Sequence, residues 1–134
     1  MIDPANVPEV DPTETLARYV LHSGYIRSSD QTVTQNAFIP HPYQELSVTR
    51  HRSTTEQELW SVGESVAGSG NKTLYGRADI QTEVCLRQNL VCKAAPVPNN
   101  PNHADISQWP ADKAAQKNIA RELAAKADFV AKPE

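Results

Sequence analysis

Two tracts of period-two alternation stand on either side of a capped helix start, and this order constrains the chain more than any other feature. Leu46-Ser47-Val48-Thr49-Arg50 alternates apolar and polar residues, as a half-buried strand does. Thr73 to Ile80 alternates again: Leu74, Gly76, Ala78 and Ile80 fall on one side, Thr73, Tyr75, Arg77 and Asp79 on the other. Between them, Thr55-Glu56-Gln57-Glu58 is a capping box, in which the threonine hydroxyl takes the N–H three residues on and the glutamate reaches back. The helix it opens carries Leu59, Trp60, Val62 and Val66 as its buried stripe and stops at Gly68-Ser69-Gly70.

The flanking segments supply the other elements. Asp11-Pro12-Thr13-Glu14 reads as a helix start, with Asp11 as N-cap and Leu16, Ala17, Val20 and Leu21 following at helical spacing. The competing reading makes Arg18 to His22 a short strand, because Tyr-Val-Leu favours β structure; we expect the helix. Ser28-Ser29-Asp30 is a turn between the apolar residues around Ile26 and Val33, which predicts a hairpin. Ala37-Phe38-Ile39 is a compact apolar anchor, closed by Pro40, His41 and Pro42. Val84-Cys85-Leu86 and Leu90-Val91-Cys92 flank Arg87-Gln88-Asn89, a second predicted hairpin. A two-residue loop at Gln88-Asn89 would set Cys85 opposite Cys92, within disulfide range, and both a bridge and two free thiols stay open. Residues 95–104 form a loop rich in proline and asparagine, and a last helix runs from about Pro110 to Ala127 on the stripe Ala115, Ile119, Leu123 and Ala127.

Helix, strands, helix, strands, helix is the order of an α+β domain: a small mixed or antiparallel sheet covered by two to three helices. Strict βαβ alternation is absent, so a doubly wound sheet is not expected. Residues 11–129 should make one domain, preceded by a disordered acidic arm at 1–10 and followed by a frayed tail at 130–134. Leu46, Val48, Leu74 and Ile80 should line one interior, roofed by both the Trp60 helix and the alanine-rich C-terminal helix.

Charge narrows the partners. The net charge is -3, but Asp3, Glu9, Asp11 and Glu14 give the first fourteen residues -4, so the other 120 carry only +1. Such a body lacks a field to gather a phosphate backbone, and 6% aromatic content is thin for base stacking; nucleic acid is an unlikely partner. No run approaches the ~18 apolar residues of a bilayer span, so a membrane partner is not expected. The start, MIDPANVPEV, has no basic or apolar region of an export signal, and two cysteines are too few for a disulfide scaffold. We therefore expect a cytoplasmic protein. Compact length without low-complexity tracts suggests a bacterial source. No glycine-rich nucleotide loop, zinc-ligand spacing or nucleophile elbow occurs, so neither cofactor nor metal is expected.

Four side chains stand out as anion-binding candidates. Arg50, His51 and Arg52 lie between a strand end and a capped helix start, where free N–H groups and the helix dipole favour negative charge. Arg50 shares its face with Leu46 and Val48, so it needs a buried acceptor or lines a pocket. Arg77 lies beside Asp79, either as an exposed pair or as the floor of a site. His103, six residues before Trp109, is the candidate catalytic acid or base. Two functions follow. The first is a protein-binding or accessory module without catalysis of its own, with another protein as partner. The second is an enzyme or binding domain for a phosphate-bearing small molecule or nucleotide, and it requires Arg50, Arg77 and His103 to lie within about 10 Å of one another in a concave pocket.

Overall fold

Edge-to-edge pairing of six chain segments organises the molecule, as seen in a computed structural model that describes residues 1–40 and 44–134. His41 and Pro42 of the proline-closed anchor fall outside the described residues. The strands are β1 (Thr15–Val20), β4 (Leu46–Arg50), β5 (Gly76–Gln81), β6 (Val91–Ala94), β7 (His103–Ser107) and β8 (Asp128–Ala131). They run in the order β6-β7-β4-β1-β5-β8, every neighbour antiparallel. A small hairpin, β2 (Ile26–Arg27) with β3 (Thr32–Val33), forms about the predicted turn. The helices are α1 (Glu56–Ser69), α2 (Thr82–Arg87) and α3 (Lys113–Lys126). The α+β reading holds: an antiparallel sheet with three helices in one domain.

Registered neighbours on adjacent strands point to the same face, which assigns the layers. Leu16 pairs with Ile80, Leu46 with Ile106 and Val48 with Ala104, and these side chains pack with Phe38, Ala120 and Leu123 in one core under α3. The opposite face carries Tyr19, Thr49, Arg77 and Asp79, and α1 lies over it: the Tyr19 hydroxyl donates to the Leu59 carbonyl at 2.6 Å. The two long helices therefore do not roof one interior. They cover opposite faces, and Leu74 packs beside Gly63 of α1 rather than with Ile80.

Other expectations change for identifiable reasons. Residues 15–20 are a central strand, because β1 finds backbone partners on both sides, in β4 and β5. Local helix signals are weak against a full ladder of hydrogen bonds. Around position 85 there is a helix where we expected a hairpin arm. The Thr82 hydroxyl donates to the Glu14 carbonyl at 3.0 Å, and Asn89 turns left-handed at φ 62° to close the helix end. Cys85 and Cys92 do come together, from α2 and β6, as free thiols. Hydrogen bonding to Cys92 and burial push the Cys85 thiol up, while the same bond lowers Cys92. The capping box forms in both halves, at 3.0 and 3.1 Å. The stripe it starts is Leu59, Val62, Gly63 and Ala67, with Val66 left 43% exposed.

Both ends are tied down. Ile2 is 4% exposed and its N–H donates to Asn102 Oδ1 at 2.9 Å, which anchors the start of the segment read as a disordered arm, while residues 3–6 are exposed. At the other end Val130 and Ala131 pair with Arg77 and Gly76. That pairing explains the strand glycine: a Cβ at position 76 would lie 2.5 Å from the Val130 carbonyl and 2.7 Å from the Phe129 ring. Gly76→Ala should therefore cost about 1–3 kcal/mol, because a backbone cannot retreat as a side-chain tip can. A denaturant melt that shows no loss of stability would contradict the close contact.

Candidate functional site

The sheet is split. β1 pairs with β4 at only two positions, Leu16 with Arg50 and Ala17 with Thr49. Beyond them the upper half of β1 pairs only with β5, while the first half of β4 pairs only with β7. The strands part around Arg18, and its guanidinium fills the place of the missing backbone bonds. Nε donates to the Ala37 carbonyl and Nη1 to the Ser47 carbonyl, each at 3.0 Å.

A cleft of about 420 Å³ opens at this split, within the usual range for small-molecule sites of about 300–1,000 Å³. Arg18, Tyr25 and His22 line it from one side, Thr49 and His103 from another, and Lys72 stands on its wall. Among the described residues no aspartate or glutamate lines it. Desolvation pulls the Arg18 guanidinium down to about 10, against its ordinary 12.5. It remains a cation at neutral pH, with two carbonyls for partners and no carboxylate. Three of its five N–H donors find no acceptor among the described residues.

The neighbours have defined donor roles. Burial pushes the Tyr19 phenol up to about 12, so it stays protonated and keeps its bond to Leu59. His103 Nδ1 lies 2.9 Å from the Ala95 carbonyl; a carbonyl only accepts, so Nδ1 carries the hydrogen. That leaves Nε2 available, 3.9 Å from Asp105 Oδ1. His22 Nδ1 accepts from the Gly24 N–H at 3.1 Å, which assigns the ring's proton to Nε2. Its ring stacks on Tyr25 with centroids 5.0 Å apart.

The anion candidates read from the sequence do not converge here. Arg50 is fully buried: its Nε and Nη2 bind both oxygens of Glu14 at 2.7 Å, and it also donates to the carbonyls of Pro8 and Glu9. Arg77 holds Glu56 through two bonds of 2.8 and 2.9 Å, bonds Asp79 at 3.0 Å, and lies over the Trp60 ring at 4.8 Å. His51 Nε2 is 2.9 Å from Asp79 Oδ1. Arg52 is 3.5 Å from Glu14. His51 and Arg52 border a shallow depression whose other walls include the carboxylates of Asp11 and Glu14, which repel an anion. Arg50 and Arg77 point to opposite faces of the sheet, and Arg77 stands three strand spacings and two residues of register from His103, roughly 16 Å. His103 alone reaches the cleft, from the first position of β7 rather than from a loop.

Arg18 was the residue to find, and the signal was present. In Leu16-Ala17-Arg18-Tyr19-Val20, strand alternation puts Arg18 between Leu16 and Val20 on the core face, the same anomaly that singled out Arg50. Reading the segment as a helix placed Arg18 off the apolar stripe and concealed it. Lys72, His22 and Tyr25 carry no such signal, because only the fold brings them to the cleft.

Among the described residues, no helix is long and apolar enough to cross a membrane, and no group of three or more His, Cys, Asp or Glu side chains is placed to hold a metal ion. No protein-family model matches the chain, and no curated protein or solved structure is significantly similar to it.

Proposed function

We propose that this domain binds a small organic anion, carrying a phosphate or carboxylate group, in the cleft between β1 and β4. One observation carries the reading: Arg18 is a half-buried cation held by two carbonyls, with spare donors, in a cleft lined by no carboxylate among the described residues. Arg18 is half-buried with no carboxylate partner and its spare N–H groups face the cleft's solvent, so an arriving anion supplies a countercharge and acceptors in place of water. The planar guanidinium suits two-point recognition of a phosphate or carboxylate. Lys72 adds positive charge, and His22 Nε2–H is a further donor. His103 Nε2 can hydrogen-bond a ligand hydroxyl.

A protein partner has less in its favour. The two sheet edges, β6 and β8, are four residues each, and β8 is followed by Lys132; short strands with edge lysines resist pairing with another chain. Neither edge carries a recognition feature comparable to the cleft.

Calorimetric titration with inorganic phosphate, a phosphomonoester and a monocarboxylate tests the proposal. At least one should bind the wild type and raise its melting temperature. Arg18→Met keeps the length of the side chain and removes its charge; it should weaken that binding about 100-fold, as expected for losing two charge-assisted hydrogen bonds. Full affinity in a folded Arg18→Met protein, or no anion bound by the wild type, would end the reading.

A further inference from the structure

We infer that the ligand is elongated and amphipathic: an anionic head at Arg18 joined to an apolar chain lying along α1. This rests on the anion-binding reading and adds the second half of the molecule. A groove of about 570 Å³ runs between α1 and the turn at 97–100, and it meets the cleft at Val66 and His103, which line both. The two spaces thus form one trough, with its character changing along its length.

The cleft end holds the positive charge of Arg18 and Lys72. The groove end has Val62, Val66 and Val97 as its apolar wall, with Ser61, Ser65 and Ser69 as small side chains along the helix. The Ser69 hydroxyl, at the end of α1, donates back to the Val66 carbonyl at 3.1 Å, so it is not held out for a polar ligand. The groove's two charges engage each other: Glu58 takes the Thr55 N–H of its own capping box and lies 3.5 Å from the Met1 ammonium. Four large hydrophobic side chains are left exposed among the described residues, and two of them, Val66 at 43% and Val97 at 42%, line this groove. Exposed apolar side chains gathered on one concave wall are accounted for by an apolar ligand segment, and the cation at one end dictates which way round it lies. A straight-chain carboxylate or alkyl phosphate, as a single soluble molecule, has this chemistry.

The experiment measures Kd for n-alkanoates from acetate to decanoate and for n-alkyl phosphates of the same lengths, all below their micellar concentrations. Burying a methylene is worth about 0.8 kcal/mol, so Kd should fall roughly 2–4-fold per added carbon once the chain passes Val66. Val97→Asp should flatten that dependence, whereas Leu86→Asp, on α2 away from the trough, should preserve it; melting curves establish that both variants fold. Whichever head group shows the steeper series identifies the anion. A Kd that stays level from acetate to decanoate while phosphate or acetate still binds would overturn the inference and leave the Arg18 site standing. Failure of every anion, short or long, would remove both. Co-sedimentation with phosphatidylglycerol vesicles, without binding of any monomeric chain, would also overturn it, because the surface recognised would then be a bilayer.

Discussion

Arg50→Met should lower stability by about 3–5 kcal/mol, because it leaves the Glu14 carboxylate buried without its partner. In a domain of this size that corresponds to a drop of roughly 10–20 °C in Tm. The Glu14 side chain is only 8% exposed and takes two bonds from the guanidinium. The same guanidinium holds the carbonyls of Pro8 and Glu9, so the N-terminal segment should loosen as well, visible as faster amide exchange before residue 10. The acid limb of the stability curve gives the signature. Burial alone would raise the Glu14 carboxyl, but the Arg50 hydrogen bond and the Asp11 backbone bond outweigh it, and the net effect is a pKa below the ordinary 4.5. A carboxyl whose folded value is depressed contributes stability above its unfolded pKa and loses it as pH falls through the folded one. Wild-type protein should therefore weaken below about pH 4.5. In Arg50→Met only the Asp11 N–H and Arg52 still oppose the burial effect, so the folded Glu14 carboxyl holds its proton to a higher pH than in wild type, and the deficit relative to wild type should shrink as pH falls. Urea melts at pH 7 and pH 3.5 check this; a deficit that grows toward low pH would show that the pair is not what holds these segments. Arg50→Met combined with Glu14→Leu should recover most of the loss.

Asn102→Leu is the second large effect expected, at about 2–5 kcal/mol. Asn102 is completely buried in the proline- and asparagine-rich stretch, and its side chain satisfies three backbone groups from distant segments. Nδ2 donates to the carbonyls of Arg50 and Arg52, both at 2.7 Å, and Oδ1 accepts from the Ile2 N–H at 2.9 Å. Leucine fills the volume and orphans all three. Asn102→Asp separates packing from hydrogen bonding: it keeps the shape but faces a carboxylate oxygen toward two carbonyl oxygens. That variant should be markedly less stable at pH 7 than near pH 4, where the protonated acid restores one donor. Equal stability at the two pH values would refute the assigned orientation of the amide.

These two residues illustrate how far the sequence could be read. Arg50 was recognisable as anomalous because strand alternation assigned it to an apolar face, and the requirement for a buried acceptor followed. Which acceptor it finds was not recognisable, since Glu14 lies 36 positions earlier in a segment whose local signals suggested a helix. Asn102 read only as one residue of a loop rich in proline and asparagine, because an asparagine's value as a buried connector depends on which carbonyls surround it. The proposed anion site was legible in the sequence only in its kind, an arginine beside a histidine. His103 lines the cleft, whereas Arg50, His51, Arg52 and Arg77 are engaged by the protein's own carboxylates.

What the sequence by itself determined was local: the β4 alternation, the capping box of α1, the β2–β3 turn and the amphipathic C-terminal helix. Each depends on side chains within a few positions of one another, and periodicity records such relations directly. The tertiary structure alone decided that β1 is a strand, that α1 and α3 cover opposite faces, and that the sheet opens at Arg18. Those outcomes rest on backbone hydrogen bonds and packing between segments tens of residues apart, whose free energies exceed local propensities and leave no periodic trace in either segment.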